Sequence, residues 1–197
     1  NFNRRVQFGT GRDNTRAIGV ADFNKDGYKD IVTANIQEQN VIYFGSKEFK
    51  FSNSISLDNS NSSSFSVAIS DLDLDNDMDI IIGNSPGPNY IFLNTANGSN
   101  WGKSQLSKEL YRTYDIISSD LNNDGLYDII EANSDAINRY YFNQKNKGEI
   151  RIWMNGKQIV HFKGKTLFAD YKGKKVHATI SYGIYEKIEE SENHLPW

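Results

Sequence analysis

A nine-residue acidic segment occurs three times at a fixed interval. Asp22-Phe-Asn-Lys-Asp-Gly-Tyr-Lys-Asp30 returns as Asp71-Leu-Asp-Leu-Asp-Asn-Asp-Met-Asp79 and again as Asp120-Leu-Asn-Asn-Asp-Gly-Leu-Tyr-Asp128. The starts are 71 − 22 = 49 and 120 − 71 = 49 residues apart. The register holds outside the segment. Asn35, Asn84 and Asn133 share it, as do Asn40, Asn89 and Asn138, and upstream Phe8, Leu57 and Leu106. Such a period means one supersecondary unit that buries its apolar face by stacking on its neighbours. Three units follow without insertions, over about 2–50, 51–99 and 100–148.

Inside each unit the segments are short and suited to strands. Arg16-Ala-Ile-Gly-Val-Ala-Asp22 and Phe49-Lys-Phe-Ser-Asn-Ser-Ile-Ser-Leu57 alternate, and Asp30-Ile-Val-Thr-Ala-Asn35 and Asn40-Val-Ile-Tyr-Phe-Gly45 are rich in β-branched and aromatic residues. No window of helical length carries a helical apolar period. Four short strands per unit of this size is the pattern of a propeller blade. The expected fold class is all-β: β-propeller blades in three 49-residue repeats over 1–148, and a β-rich C-terminal unit over 149–197. Phe2–Phe8 aligns with 51–57 and reads as the outer strand of a blade. Three blades do not close a ring. The chain is therefore expected to pair with another chain or with the rest of a longer polypeptide, since open sheet edges invite pairing.

The acidic segments place oxygen atoms at positions 1, 3, 5 and 9, with a backbone carbonyl available at position 7. Hard oxygen donors at this spacing around a tight turn at position 6 suit Ca²⁺. Gly27 and Gly125 supply the left-handed turn, and Asn76 is the next best residue for it. An EF-hand opens with the same ligands but needs a bidentate Glu at position 12 and flanking helices. Position 12 is Thr33, Ile82 and Glu131, so only the third segment has that residue, and strand-like sequence flanks all three.

These segments, with the Ile-Val-Thr-Ala-Asn and Asn-Val-Ile-Tyr-Phe-Gly stretches, resemble FG-GAP/VCBS repeats over about 1–148. The resemblance implies blades with a Ca²⁺ loop between the first two strands, and three such sites. The implied ligands are Asp22, Asn24, Asp26 and Asp30, with the carbonyl of Tyr28, in the first loop. They are Asp71, Asp73, Asp75 and Asp79, with the carbonyl of Asp77, in the second. In the third they are Asp120, Asn122, Asp124 and Asp128, with the carbonyl of Leu126. Asp77 adds a further carboxylate near its site. Calcium of this kind ties a loop down and catalyses nothing. The function expected is a calcium-stabilised module, extracellular or on the cell surface, that binds a polysaccharide or an extracellular protein.

The last quarter breaks the pattern. Residues 1–145 hold 13 Lys+Arg and 19 Asp+Glu, net −6, whereas residues 146–197 hold 9 and 6, net +3. One reading is a degenerate fourth blade without its metal ligands. The other starts from Ile150-Arg-Ile-Trp-Met-Asn-Gly-Lys-Gln-Ile-Val160, Lys163-Gly-Lys-Thr-Leu167 and Ile180-Ser-Tyr-Gly-Ile-Tyr185, which resemble the end of a heparin-lyase-like polysaccharide lyase jelly roll. That resemblance implies a catalytic tyrosine at Tyr185, although Ser181 stands where the family has Lys. His177 is the nearest candidate for proton transfer in a β-elimination of a uronic-acid polymer. A third function class is a subunit of a filament or virion assembly whose blades pair between chains.

Composition excludes several other classes. There is no cysteine, hence no disulfide, thiolate site or Cys nucleophile. A net charge of −3 argues against nucleic acid as a partner. The apolar run Ile80-Ile-Ile82 is far too short to insert into a membrane. The 23 Asn residues suit turns and oxygen-donor loops rather than helices.

Overall fold

A computed structural model describes residue 3 and residues 5–144, and the backbone of 149–154, 157–163, 166–171 and 174–179. It divides into two units, Asn1–Asn143 and Gln144–Trp197. Among the described residues every element is a β-strand and every pairing is antiparallel, so the fold is all-β. No helix among them is long and apolar enough to cross a membrane.

The first unit contains three sheets. The first is β1 (Thr15–Ala21), β2 (Asp30–Asn35), β3 (Val41–Phe44) and β4 (Asn53–Ser56), hydrogen-bonded in that order. The second repeats it as β5 (Ser64–Ser70), β6 (Asp79–Asn84), β7 (Tyr90–Asn94) and β8 (Trp101–Gln105). The third comprises β9 (Arg112–Ser119), β10 (Asp128–Ser134) and β11 (Arg139–Tyr141). The acidic segments are the connections β1–β2, β5–β6 and β9–β10.

The repeat is reproduced down to its irregularities. The pairing of the first two strands slips between Thr15 and Ala17, between Ser64 and Ser66, and opposite Ala132 and Asn133. The extra residues are Arg16, Phe65 and Tyr114, again 49 apart. They form a column: the Arg16 guanidinium lies 5.7 Å from the Phe65 ring, and Phe65 meets Tyr114 edge-to-face at 5.1 Å.

Two apolar layers join the sheets. Because successive side chains of a strand point to opposite faces, β6 serves both layers. Ile80 and Ile82 pack with Phe23, Val32, Ile42 and Phe92 between the first and second sheets. Ile81, on the other face, packs with Ala68, Leu72, Ile116 and Ile129 between the second and third. Gly19 allows the close approach in the first layer, since a Cβ there would stand 2.6 Å from Ile69 Cδ1 and 3.1 Å from Val32 Cγ1.

Residues 3 and 5–8 form no strand. The outer strand of a unit pairs with the third strand of the preceding one, as β4 pairs with β3 and β8 with β7. The partner expected for Phe2–Phe8, the third strand of a preceding unit, lies outside the described residues. Phe8 instead sets its ring against Tyr43, at 5.5 Å, and Phe51, at 5.7 Å.

The second unit contains two hairpins, β12 (Glu149–Met154) with β13 (Lys157–Lys163), and β14 (Thr166–Tyr171) with β15 (Lys174–Thr179). By register β12 occupies the place of β4 and β8, yet its pairing is with β13.

Candidate metal centre

The three acidic loops fold by one set of hydrogen bonds. At position 1, Asp22 accepts from the N–H groups of Asp26 and Gly27, at 3.2 and 2.9 Å. Asp71 accepts from Asp75 and Asn76, both at 3.0 Å, and Asp120 from Asp124 and Gly125, at 3.1 and 2.9 Å. One carboxylate thus draws the whole turn around itself. At position 5, Asp26, Asp75 and Asp124 accept from the N–H of Tyr28, Asp77 and Leu126, at 2.8, 2.8 and 2.9 Å. At position 3, Asn24 Oδ1 accepts from Asp26 N–H and Asn122 Oδ1 from Asp124 N–H.

The backbone turns left-handed twice in each loop. Position 6 has φ of 87° at Gly27, 69° at Asn76 and 83° at Gly125, as glycine and asparagine there predict. Position 4 has φ of 58° at Lys25, Leu74 and Asn123. Nothing in the sequence marks that second turn, because lysine and leucine do not advertise a positive φ.

Position 9 is the most buried. Asp30, Asp79 and Asp128 are each 0% exposed. One oxygen of each accepts from the N–H of the residue at loop position 2: Phe23 at 2.8 Å, Leu72 at 2.7 Å, Leu121 at 2.9 Å. The other accepts from the N–H that ends the third strand: Gly45 at 2.8 Å, Asn94 at 2.9 Å, Asn143 at 2.8 Å. These carboxylates pin loop to sheet. Burial pushes Asp79 up to about 7, against the opposing pull of the Asn94 and Leu72 N–H groups, with Asp73 and Asp75 raising it further. Burial likewise raises Asp30 above the usual carboxylate range. A cation beside either group would favour the ionised form.

In the middle loop, one oxygen each of Asp71, Asp73 and Asp79 lie within 4.8 Å of one another. The outer loops carry Asn at position 3, where Asn24 Nδ2 donates to Asp26 at 2.9 Å and Asn122 Nδ2 to Asp124 at 3.1 Å. The donor sets are oxygen throughout, which fits a hard cation such as Ca²⁺ and none of the soft metals.

Asp77, at position 7 of the middle loop, is nearly buried, and its side chain forms an ion pair with the Lys25 ammonium of the first loop. Asp77 and its neighbours Asp75 and Asp71 hold the Lys25 ammonium above its ordinary range. No residue type recurs at loop positions 4 and 7, so nothing in the sequence singles out this pair.

Glu131, the position-12 acid of the third loop, is turned away from it. Fully buried, it accepts from Asn89 Nδ2 at 2.9 Å, Tyr141 OH at 3.0 Å and Asn133 Nδ2 at 3.1 Å, with the Arg139 guanidinium 3.8 Å away. It belongs to the seam between the second and third sheets, not to a metal loop.

Of the candidates for catalysis, Tyr185 lies outside the described residues, and His177 is described only as a backbone position of β15, opposite Phe168. Trp101 is a packing residue: half-buried, it meets Phe23 edge-to-face at 5.7 Å and donates its indole N–H to the Gly98 carbonyl at 3.1 Å.

The family model of the FG-GAP-like repeat matches this chain twice, at residues 22–82 and 71–131. Each match runs from the first aspartate of one loop to position 12 of the next. Together they span more than half of the chain. No curated protein matches it at a significant level.

Proposed function

We propose, for a chain that belongs to the FG-GAP-like repeat family, that it is a calcium-stabilised, non-catalytic module of the cell exterior that binds a glycan or a protein. FG-GAP-like repeats are typical of extracellular or surface proteins. The observation that carries the reading is the threefold recurrence of one loop geometry, in which side-chain oxygens at fixed positions enclose a turn on a buried aspartate.

Calcium would be held by Asp22, Asn24, Asp26 and Asp30, by Asp71, Asp73, Asp75 and Asp79, and by Asp120, Asn122, Asp124 and Asp128. Its contribution is charge: it would offset carboxylates that otherwise repel at close range. Calcium levels outside cells suit even weak loops. Three ions would carry the chain from −3 to −3 + 6 = +3.

The first sheet supports a partner on its open face. Ile18 and Val20 of β1 are 56% and 55% exposed. At the same register on β5, Val67 and Ile69 pack against the core of the first sheet. A further sheet, from another copy or from the rest of a longer polypeptide, would cover Ile18 and Val20 in the same way.

Thermal unfolding with calcium and with excess chelator tests the reading. A ligand at a hundredfold its Kd stabilises by about 2.7 kcal/mol per site. At roughly 2–4 °C per kcal/mol for a domain of this size, chelation lowers the midpoint by at least several degrees. An unchanged midpoint overturns the calcium claim.

A further inference from the structure

We propose that Lys25 is the affinity-setting residue of the middle loop, a counter-cation built into the first loop that weakens calcium binding in the second. The inference rests on the calcium reading above.

Lys25 stands at position 4 of its loop, where the others have Leu74 and Asn123. All three share φ of 58°, so the backbone is common and only the side chain differs. The Lys25 ammonium reaches across to Asp77 at position 7 of the next loop, where the other loops carry Tyr28 and Leu126. Positions 4 and 7 vary among all three loops, and only here do they carry opposite charges that meet across loops.

The middle loop needs such a partner more than its neighbours do. It holds five aspartates, Asp71, Asp73, Asp75, Asp77 and Asp79, against Asp22, Asp26 and Asp30 in the first and Asp120, Asp124 and Asp128 in the third. The Asp77 side chain is only 9% exposed, and a carboxylate so enclosed is costly without a counter-charge. The ammonium sits on a neighbouring turn, within ion-pair reach of the middle loop, so an arriving cation meets it at the site. It neutralises the extra carboxylate and repels a divalent ion entering among Asp71, Asp73, Asp75 and Asp79. The middle loop is thereby held closer to the affinity of the other two.

A calcium chloride titration of the full chain followed by NMR tests this. The position-6 amides of Gly27, Asn76 and Gly125 report the three loops separately. Lys25→Leu and Lys25→Asn install residues already present at this position in the sister loops, with the same φ, so the turn is preserved. Each variant should shift the Asn76 response to about tenfold lower calcium, as removal of one nearby positive charge implies, and leave Gly125 unmoved. The shift should shrink as salt is raised. An Asn76 midpoint that stays put, or moves to higher calcium, in both variants overturns the role of Lys25 while the calcium reading stands. No calcium response at any of the three amides of the unmodified chain overturns both.

Discussion

Asn94 donates its side-chain N–H to the carbonyl of Phe23, 71 residues earlier, at 2.8 Å. One unit further on, Asn143 does the same to Leu72, also 71 residues back, at 2.7 Å. Phe23 and Leu72 are the second residues of the first and second acidic loops. The first and second loops are therefore each fastened by an asparagine from the following sheet, in addition to their own position-9 aspartates. Asn94 Oδ1 also accepts from Gly98 N–H at 2.7 Å.

Asn94→Ala should expose how much this fastening contributes. Asn94 is 1% exposed, so truncation leaves the Phe23 carbonyl and the Gly98 N–H buried without partners. At about 1–3 kcal/mol for each such group, the variant should lose about 3 kcal/mol. Its melting midpoint should fall by roughly 6–12 °C at 2–4 °C per kcal/mol. Asn94→Asp, which keeps the acceptor for Gly98 but sets a buried carboxylate oxygen against the Phe23 carbonyl, should fall at least as far. Calorimetry in saturating calcium measures both.

Glu131→Ala should destabilise the chain without touching the third loop's calcium response. The substitution removes one acceptor from each of Asn89, Asn133 and Tyr141 and takes the carboxylate away from Arg139. Breaking an interior charged network typically costs about 3–5 kcal/mol. A position-12 calcium ligand would behave differently: its loss would weaken ion binding in that loop. Denaturant unfolding and the calcium response of the Gly125 amide separate the two roles.

Acid should reveal a separate contribution from Asp13. Its carboxylate accepts from the Thr10 hydroxyl at 2.6 Å and the Thr10 N–H at 2.8 Å, which, the hydroxyl first, lower its pKa below the ordinary 3.8. A group depressed in the folded state stabilises above its unfolded pKa, and loses that contribution as pH falls through the folded value. Asp13→Asn should therefore lower the melting midpoint near neutral pH and make little difference well below 3.8. A deficit that persists in strong acid would show that packing, not charge, is lost.

Much of this arrangement is legible in the amino-acid order because the repeat is strict. The spacing of Asp22, Asp71 and Asp120 marks the loops, and Gly27, Asn76 and Gly125 mark their left-handed turns. The β-branched runs beginning at Asp30, Asp79 and Asp128 mark the central strands. What stays hidden is what crosses between units. Asn94 and Asn143 occupy the register of Gly45, so no common residue type flags their bond to the preceding loop. Residues 53–56 belong to the sheet of the unit before them, a matter of pairing that alternation along one strand cannot express. The dual use of Asp30, Asp79 and Asp128 as sheet anchors is equally silent, because an aspartate at loop position 9 reads the same whether it faces an ion or two N–H groups.

Calcium content per chain is the most direct test of the central claim. Equilibrium dialysis against buffered calcium, followed by atomic emission, should find three ions per chain, and two in Asp120→Ala, where the position-1 carboxylate that organises the third loop is gone. A chain that retains no calcium above the dialysis buffer, or an Asp120→Ala variant that retains as much as the unmodified chain, would contradict the account.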